Sequence, residues 1–389
     1  MKITKARIYK IPSGGITPVV LELETEDGTK GLGEACIAYG AGSTAAAGMV
    51  YDILERYVIG GVSAFDGEKV WNRFYDHGFW GKGGGPVIMS GISAIETAML
   101  DLKARLLGVP VHTLLGGKIN DSLRAYCNGW YFGCTEDAQL PGAAEKAVAD
   151  GYKAIKFYPF ATILPEGRLL HPSLRSTSDQ TVITKALKRL KEIRSAVGDD
   201  VEIMLDLTAS LTPDDTIRFC REAAEIGITF IEEPAIPGDT RALADIRRAI
   251  TQPTAVGERL ASRYAFRDVL EARAADILQP DIGNTGGVME TRRIAAMAET
   301  YGLKVQPHIC ASAVSTAVGM HLSASLPNFY WQEHFPYWSR IPGHTDFVEA
   351  AVEDTIKDGM IPVNDLQGYG VSLRKEVAEQ HIWAEMEFA

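Results

Sequence analysis

Between Val201 and Glu333 the chain alternates short apolar runs with longer amphipathic stretches, and each apolar run closes on a polar residue. VEIMLD ends on Asp206, ITFIE on Glu232, PTAVGE on Glu258, ADILQPD on Asp281, LKVQPH on His308 and NFYWQE on Glu333. These closing residues stand 23 to 27 positions apart. A strand of ~5–6 residues, a helix of ~11–12 and two short loops fill that interval. Helix-like stretches, such as Asp214 to Ile226 and Gly286 to Thr300, lie between the runs. Repeated strand–helix units predict an α/β fold with parallel strands, and eight of them close into a barrel. The C-terminal strand ends of such a barrel share one rim, so the six polar residues converge. Their bland reading is loop acids in ordinary salt bridges. Six in register weigh against it, because burying like charges together is costly without a cation.

Upstream, the pattern changes. Val19, Leu21 and Leu23 alternate with Glu22, Glu24 and Glu26 before a turn at Asp27-Gly28, which predicts a hairpin. Residues 37–48 are small and glycine-rich and lead into helical periodicity. Ile92, Ile95, Met99, Leu102 and Leu106 recur at steps of three or four, with Ser90 or Ser93 as the candidate cap and Gly108 and Pro110 as the stop. Residues 1–120 therefore read as an α+β domain completed by the tail 351–389, and residues 121–350 as the barrel. Its first strands are expected at 123–128 and 154–158. The interval from Tyr158 to Asp206 carries an extra aperiodic stretch in which Arg168, His171 and Arg175 could meet an anionic substrate or a neighbouring subunit. A solvated surface loop is the alternative.

Composition narrows the class. A chain of 389 residues holds a barrel of ~250 plus a smaller domain. No run reaches the ~18 apolar residues of a membrane span, and MKITKARIYK lacks the apolar centre of a signal peptide. Five scattered cysteines without a CxxC pair imply reduced thiols and a cytoplasmic protein. A net charge of −11 without a dense Lys/Arg cluster argues against a nucleic-acid partner. An acidic protein that takes an anionic substrate needs a local cation, which suits a metal site.

Several stretches carry a resemblance: GVPVHTLLGG (108–117), GYKAIKFYPF (151–160), FIEEP (230–234), GERL (257–260), ILQPDIGNTGGVMETRRIA (277–295), PHICASAVS (307–315) and NFYWQE (328–333). In order and spanning most of the chain, they resemble the enolase superfamily, mandelate racemase subgroup, and within it the sugar-acid dehydratases of the galactonate dehydratase type. The resemblance implies a modified TIM barrel, (β/α)7β, under an N-terminal capping domain. Cap loops near 13–18 and 39–42 would close over the substrate. It also implies one Mg²⁺ per subunit on Asp206, Glu232 and Glu258, with Glu233 as a supporting acid, and a symmetric homo-oligomer. His308 with Asp281 matches the proton-transfer dyad, and Glu333 the glutamate that meets the substrate carboxylate. Two positions depart from the pattern. The Lys-x-Lys of the second strand reads Lys156-Phe157-Tyr158, and the histidine two residues after the first metal aspartate is Thr208.

The chemistry asks for these residue types. Removing a proton α to a carboxylate creates an enediolate, and superfamily sites pair a Lys or His base with Mg²⁺ to hold it. Mg²⁺ prefers oxygen ligands and keeps positions free for substrate. His308 suits a base near neutrality, and Asp281 would fix its tautomer; a core histidine with an incidental acid neighbour is the alternative. A protonated Glu333 would donate to the enediolate, or make a simple contact. Lys156 would stabilise the carboxylate or act from the opposite face, unless it is a salt-bridge partner of Asp206 or Glu232. Tyr158, on the same side of the strand, could serve as acid or base there. Tyr39, Thr208, Arg168 and Trp80 are the substrate-binding candidates, although Trp80 and Lys82 also read as a core tryptophan beside a solvated lysine. The expected reaction is dehydration of an aldonic or aldaric acid to a 2-keto-3-deoxy acid. The alternatives are an epimerase or cycloisomerase on the same intermediate, and a non-catalytic metal-binding protein.

Overall fold

The computed structural model describes residues 1–163, 169–170, 180–338 and 341–388. Strands β1 (Ile3–Lys10), β2 (Val19–Thr25) and β3 (Lys30–Ala35) form an antiparallel sheet. The turn at Asp27-Gly28 joins β2 to β3 as expected, with the Thr25 amide donating to the Thr29 carbonyl. Helices α1 (Ser43–Ile53), α2 (Gly67–His77) and α3 (Pro86–Leu106) pack on the sheet around Trp71, Phe74, Ile92, Ile95 and Met99. Neither Ser90 nor Ser93 caps α3, which starts earlier with Pro86 in its first turn. Both hydroxyls donate to carbonyls one turn back instead, the usual alternative for a serine inside a helix.

The barrel strands are β4 (Ser122–Cys127), β5 (Ala154–Phe157), β6 (Glu202–Asp206), β7 (Ile228–Glu232), β8 (Thr254–Val256), β9 (Ile277–Leu278), β10 (Lys304–Val305) and β11 (Gln332–His334). They pair in parallel in chain order, and β11 returns to β4. Val305 bridges to Phe329 to close the ring. Helices α4 (Leu140–Ala149), α5 (Gln180–Val197), α6 (Pro213–Glu222), α7 (Thr240–Ala249), α8 (Ser262–Glu271), α9 (Val288–Thr300) and α10 (Ala313–Ala324) separate the strands. The fold is the modified TIM barrel with an α+β cap that the sequence suggests. A last strand, β12 (Ile382–Glu387), pairs antiparallel with β1, where Arg7 meets Glu385 at 2.6 Å.

Side chains alternate along each strand, and this parity builds the barrel interior in layers. Tyr126, Ala154, Met204, Phe230, Ala255, Ile277 and Trp331 form a small apolar cluster of their own inside the barrel. Two residues further toward the C-terminal rim, the same strands present Asn128, Lys156, Asp206, Glu232, Gln279 and Glu333. An apolar floor thus supports a polar layer. Among the described residues, no helix is long and apolar enough to cross a membrane.

Candidate active site

Asp206 and Glu232 are the last residues of neighbouring strands and stand in register. Glu258 follows β8 by two residues. One carboxylate oxygen from each of the three lies within 4.8 Å of the others. Backbone strain at the rim accompanies this convergence: Thr208, Ala209 and Glu233 have φ of 48°, 54° and 44°, a region that non-glycine residues enter at a cost. The Thr208 amide donates to Asp206 Oδ1 at 2.7 Å, and the Gly257 amide donates to Glu233 Oε1 at 3.1 Å. Glu233 is therefore a support for the β8 end and not a member of the triad.

Burial and the neighbouring Glu258 push Asp206 up to about 7. Burial, Asp206 and Glu258 push Glu232 up to about 8 against the pull of Lys156. Asp206 Oδ2 is buried without a hydrogen-bond partner among the described residues. An all-oxygen set of mutually repelling carboxylates with an orphaned acceptor fits a hard divalent cation such as Mg²⁺.

Asp281 and His308 form an isolated parallel bridge beyond β9 and β10. His308 Nδ1 lies 2.8 Å from Asp281 Oδ2, and the Gly283 amide holds Asp281 Oδ1 at 2.9 Å. The other ring nitrogen, Nε2, points into the cluster, 3.4 Å from Glu258 Oε2 and 3.9 Å from Glu333 Oε2. Burial alone would lower the imidazole, but the charges of Glu258, Glu333 and Asp281 outweigh it and push it up to about 10.

Lys156 is buried and bridges two acids, 3.0 Å from Glu232 Oε1 and 2.7 Å from Glu333 Oε1. The salt-bridge reading of Lys156 holds for Glu232. Glu333 differs from expectation. Burial favours its neutral form, but Lys156, His308 and the Ile309 amide prevail and hold it at about 2. With donors from Lys156, Asn128 and Ile309 on its oxygens, Glu333 is an acceptor, and a protonated donor Glu333 is not what this arrangement provides. Tyr158 is half-buried, and it pulls the Asp206 carboxyl down against burial.

The remaining candidates scatter. Thr208 is half-buried at the rim, with its hydroxyl engaged by Leu207 and Ser210. Tyr39 is largely exposed, near Cys310. Its loop belongs to the contact in which Ile16, Cys36 and Ala38 of the cap pack on Ala311, Phe335 and Trp338 of the barrel. Trp80 is 66% exposed and packs edge-on against Phe79, so it is no core residue, and it joins none of the described hydrogen bonds or ion pairs of the cluster. Arg168, His171 and Arg175 lie outside the described residues.

Two models of one family match the chain. The mandelate racemase / muconate lactonizing enzyme N-terminal domain covers residues 14–116, and the enolase C-terminal domain-like unit covers residues 139–377. The chain belongs to the enolase superfamily. Curated relatives include a D-galactonate dehydratase of Ralstonia pickettii, 31% identical over 96% of this chain and 92% of the relative. A D-gluconate/D-galactonate dehydratase of Picrophilus torridus is 29% identical over 99% and 95%. A solved superfamily member from Salmonella Typhimurium superposes with a TM-score of 0.93 at 31% identity, each chain covered in full at 100%. A Mesorhizobium loti structure reaches 0.94 at 43% identity, over 99% of this chain and 100% of that one.

In this superfamily member, two polar residues of the rim escaped the reading by strand ends. Asn128 donates to Glu333 Oε1 at 2.9 Å while its own Oδ1 takes the Gly129 amide at 2.7 Å. Gln279 donates to Glu232 Oε2 at 2.9 Å. Both are neutral, so a search for charged residues passes over them. The strand parity that places the apolar floor would have found them.

Proposed function

We propose that this protein is a hydro-lyase that dehydrates a sugar acid, an aldonic or aldaric acid, to the 2-keto-3-deoxy acid. The observation that carries this reading is His308 Nε2 directed at the acid triad, 3.4 Å from Glu258, with Nδ1 held by Asp281. Asp206, Glu232 and Glu258 would hold Mg²⁺. Bound there, the ion offsets the acid charge that keeps His308 protonated and supplies positive charge for the enediolate.

The chain's own groups do the rest. Lys156, seated between Glu232 and Glu333, presents an ammonium to the substrate carboxylate. Neutral His308 takes the C2 proton through Nε2, and Asp281 stabilises the imidazolium through Nδ1. The electron pair left at C2 expels the C3 hydroxyl. His308 returns the proton to it, so water departs and the resulting enol tautomerises to the keto acid. Thr208 stands where the galactonate-type acid would be, and a single histidine serving both transfers accounts for that replacement.

An epimerase needs a free acid or base on the face opposite His308. Lys156 is a poor one, since burial works against its charge but Glu232 and Glu333 raise its pKa well above the ordinary lysine value. The test is incubation with a panel of aldonic and aldaric acids plus Mg²⁺, assayed for 2-keto acid. Exchange of solvent deuterium into recovered substrate without keto acid would replace this reading with the isomerase.

A further inference from the structure

Strand β3 of the cap lies unusually close to α3. A Cβ on Gly31 or Gly33 would collide with the Ala98 or Ala94 carbonyl oxygen. Because side chains alternate, that packing turns Leu32 and Glu34 the other way, toward the barrel. Leu32 joins the barrel's hydrophobic core. Glu34 is buried, and its carboxylate accepts the Ser312 amide at 3.1 Å, the Ser312 hydroxyl at 2.6 Å and the Ser315 amide at 3.0 Å. These donors belong to the N-cap and first turn of α10, where an oxygen acceptor satisfies otherwise orphaned amides, while burial pushes the Glu34 carboxyl up to about 8 against their pull.

Ser312 stands four residues after His308, and the Ile309 amide between them holds Glu333. Just beyond β3, the Cys36 amide donates to the Gly283 carbonyl at 3.3 Å, and the Gly283 amide is the donor that holds Asp281. One cap strand therefore touches the segments behind both members of the dyad.

We propose that Glu34 is a positioning residue for proton transfer: by anchoring Ser312 and Ser315 it fixes the 308–312 segment where His308 meets Asp281, so that cap docking and dyad alignment are one event. The inference rests on His308 as the base of the proposed reaction. Glu96 supplies the control. It makes a comparable latch from the cap, accepting the Val288 and Met289 amides at 2.7 and 3.3 Å, but it anchors α9, which carries no member of the dyad.

The experiment combines nitrogen-15 histidine NMR of the full chain, with and without Mg²⁺, and kinetics on the acid that turns over. The His308 Nδ1 proton is assigned by its loss in His308→Gln. Glu34→Ala is expected to broaden or lose that carboxylate-bonded proton and to lower kcat by ~10- to 100-fold, the scale of a misplaced reacting group, with KM changed less than about 3-fold. Glu34→Gln, whose amide oxygen still accepts one donor, should fall between Glu34→Ala and wild type. Glu96→Gln should lower the melting temperature while leaving the proton and kcat at wild-type values. Wild-type signal and kcat in Glu34→Ala, or equal losses in Glu96→Gln, would overturn the proposal. If Glu34→Ala does not fold, Glu34→Gln and Ser312→Ala decide: a weakened signal in both supports it and wild-type signals overturn it. The NMR arm needs no substrate, so a silent sugar-acid panel sinks the dehydratase reading without deciding this one.

Discussion

The ammonium of Lys156 sits 2.7 Å from Glu333 Oε1, with both side chains buried. Removing either partner leaves the other charged in a place that water does not reach. Lys156 also meets Glu232 at 3.0 Å, so it ties the candidate metal site to the acid beside the base. Lys156→Met is expected to destabilise the metal-free protein by about 3–5 kcal/mol, the usual effect of orphaning a buried partner, and to abolish keto-acid formation. Urea denaturation and the panel assay read the two effects separately. Stability within ~1 kcal/mol of wild type would contradict the pairing.

Asp206 and Glu258 repel each other while no cation lies between them. Asp206→Asn should therefore raise the melting temperature of the chelator-treated protein and remove the rise that Mg²⁺ produces in wild type, which follows the ligand concentration logarithmically. A thermal-shift titration with and without chelator measures both. An unchanged Mg²⁺ response in the variant would remove Asp206 from the ligand set.

Two buried histidines outside the acid cluster, His321 and His334, are expected to contribute to acid sensitivity. His321, stacked on His112 at 5.2 Å, is lowered to about 3 by burial and by that neighbour. His334, bonded to Tyr152 at 2.6 Å, is lowered to about 4 by burial. Unfolded, each takes a proton near 6.5. Unfolding thus takes up protons below that value, so the stability these groups give is complete above about pH 6.5 and is lost as pH falls toward 4. His321→Gln and His334→Gln should each flatten the decline in melting temperature between pH 7 and pH 5, whatever they do at pH 8.

Gly33→Ala places a methyl against the Ala94 carbonyl oxygen. Backbone on both sides leaves little room to yield, and a cost of at least about 1–3 kcal/mol is expected. Gly28→Ala meets no neighbouring atom but puts an alanine at φ of 83°, so it should cost only the ~1 kcal/mol of a left-handed residue. Chemical denaturation of the two variants tests the ranking.

The ends of the strands were legible because a polar residue that closes an apolar run has few places to go except the rim. Asp206, Glu232, Glu258, Asp281, His308 and Glu333 all announced themselves in that way. The protonation of Glu333 was not legible, since it depends on Lys156, Asn128 and the Ile309 amide converging from three different segments. Nor were Ser90 and Ser93 distinguishable as caps from residues one turn inside the helix, because serine makes a local hydrogen bond in either place. Glu34 was hidden for another reason: as a lone glutamate in β3 it looks like one more of the hairpin acids beside Glu22 and Glu24 of β2, and only contact with α10 separates it from them.

Strand β12 completes the cap sheet beside β1 although nearly the whole chain lies between them. During synthesis, the first strands emerge long before their final neighbour does. The edge of β1 stays open until residues 382–387 have left the ribosome. A nascent chain would carry its triad and histidine on a nearly finished barrel under an unfinished roof. Deleting residues 382–387 should therefore disturb a sheet on the far side of the sequence before it disturbs anything nearby.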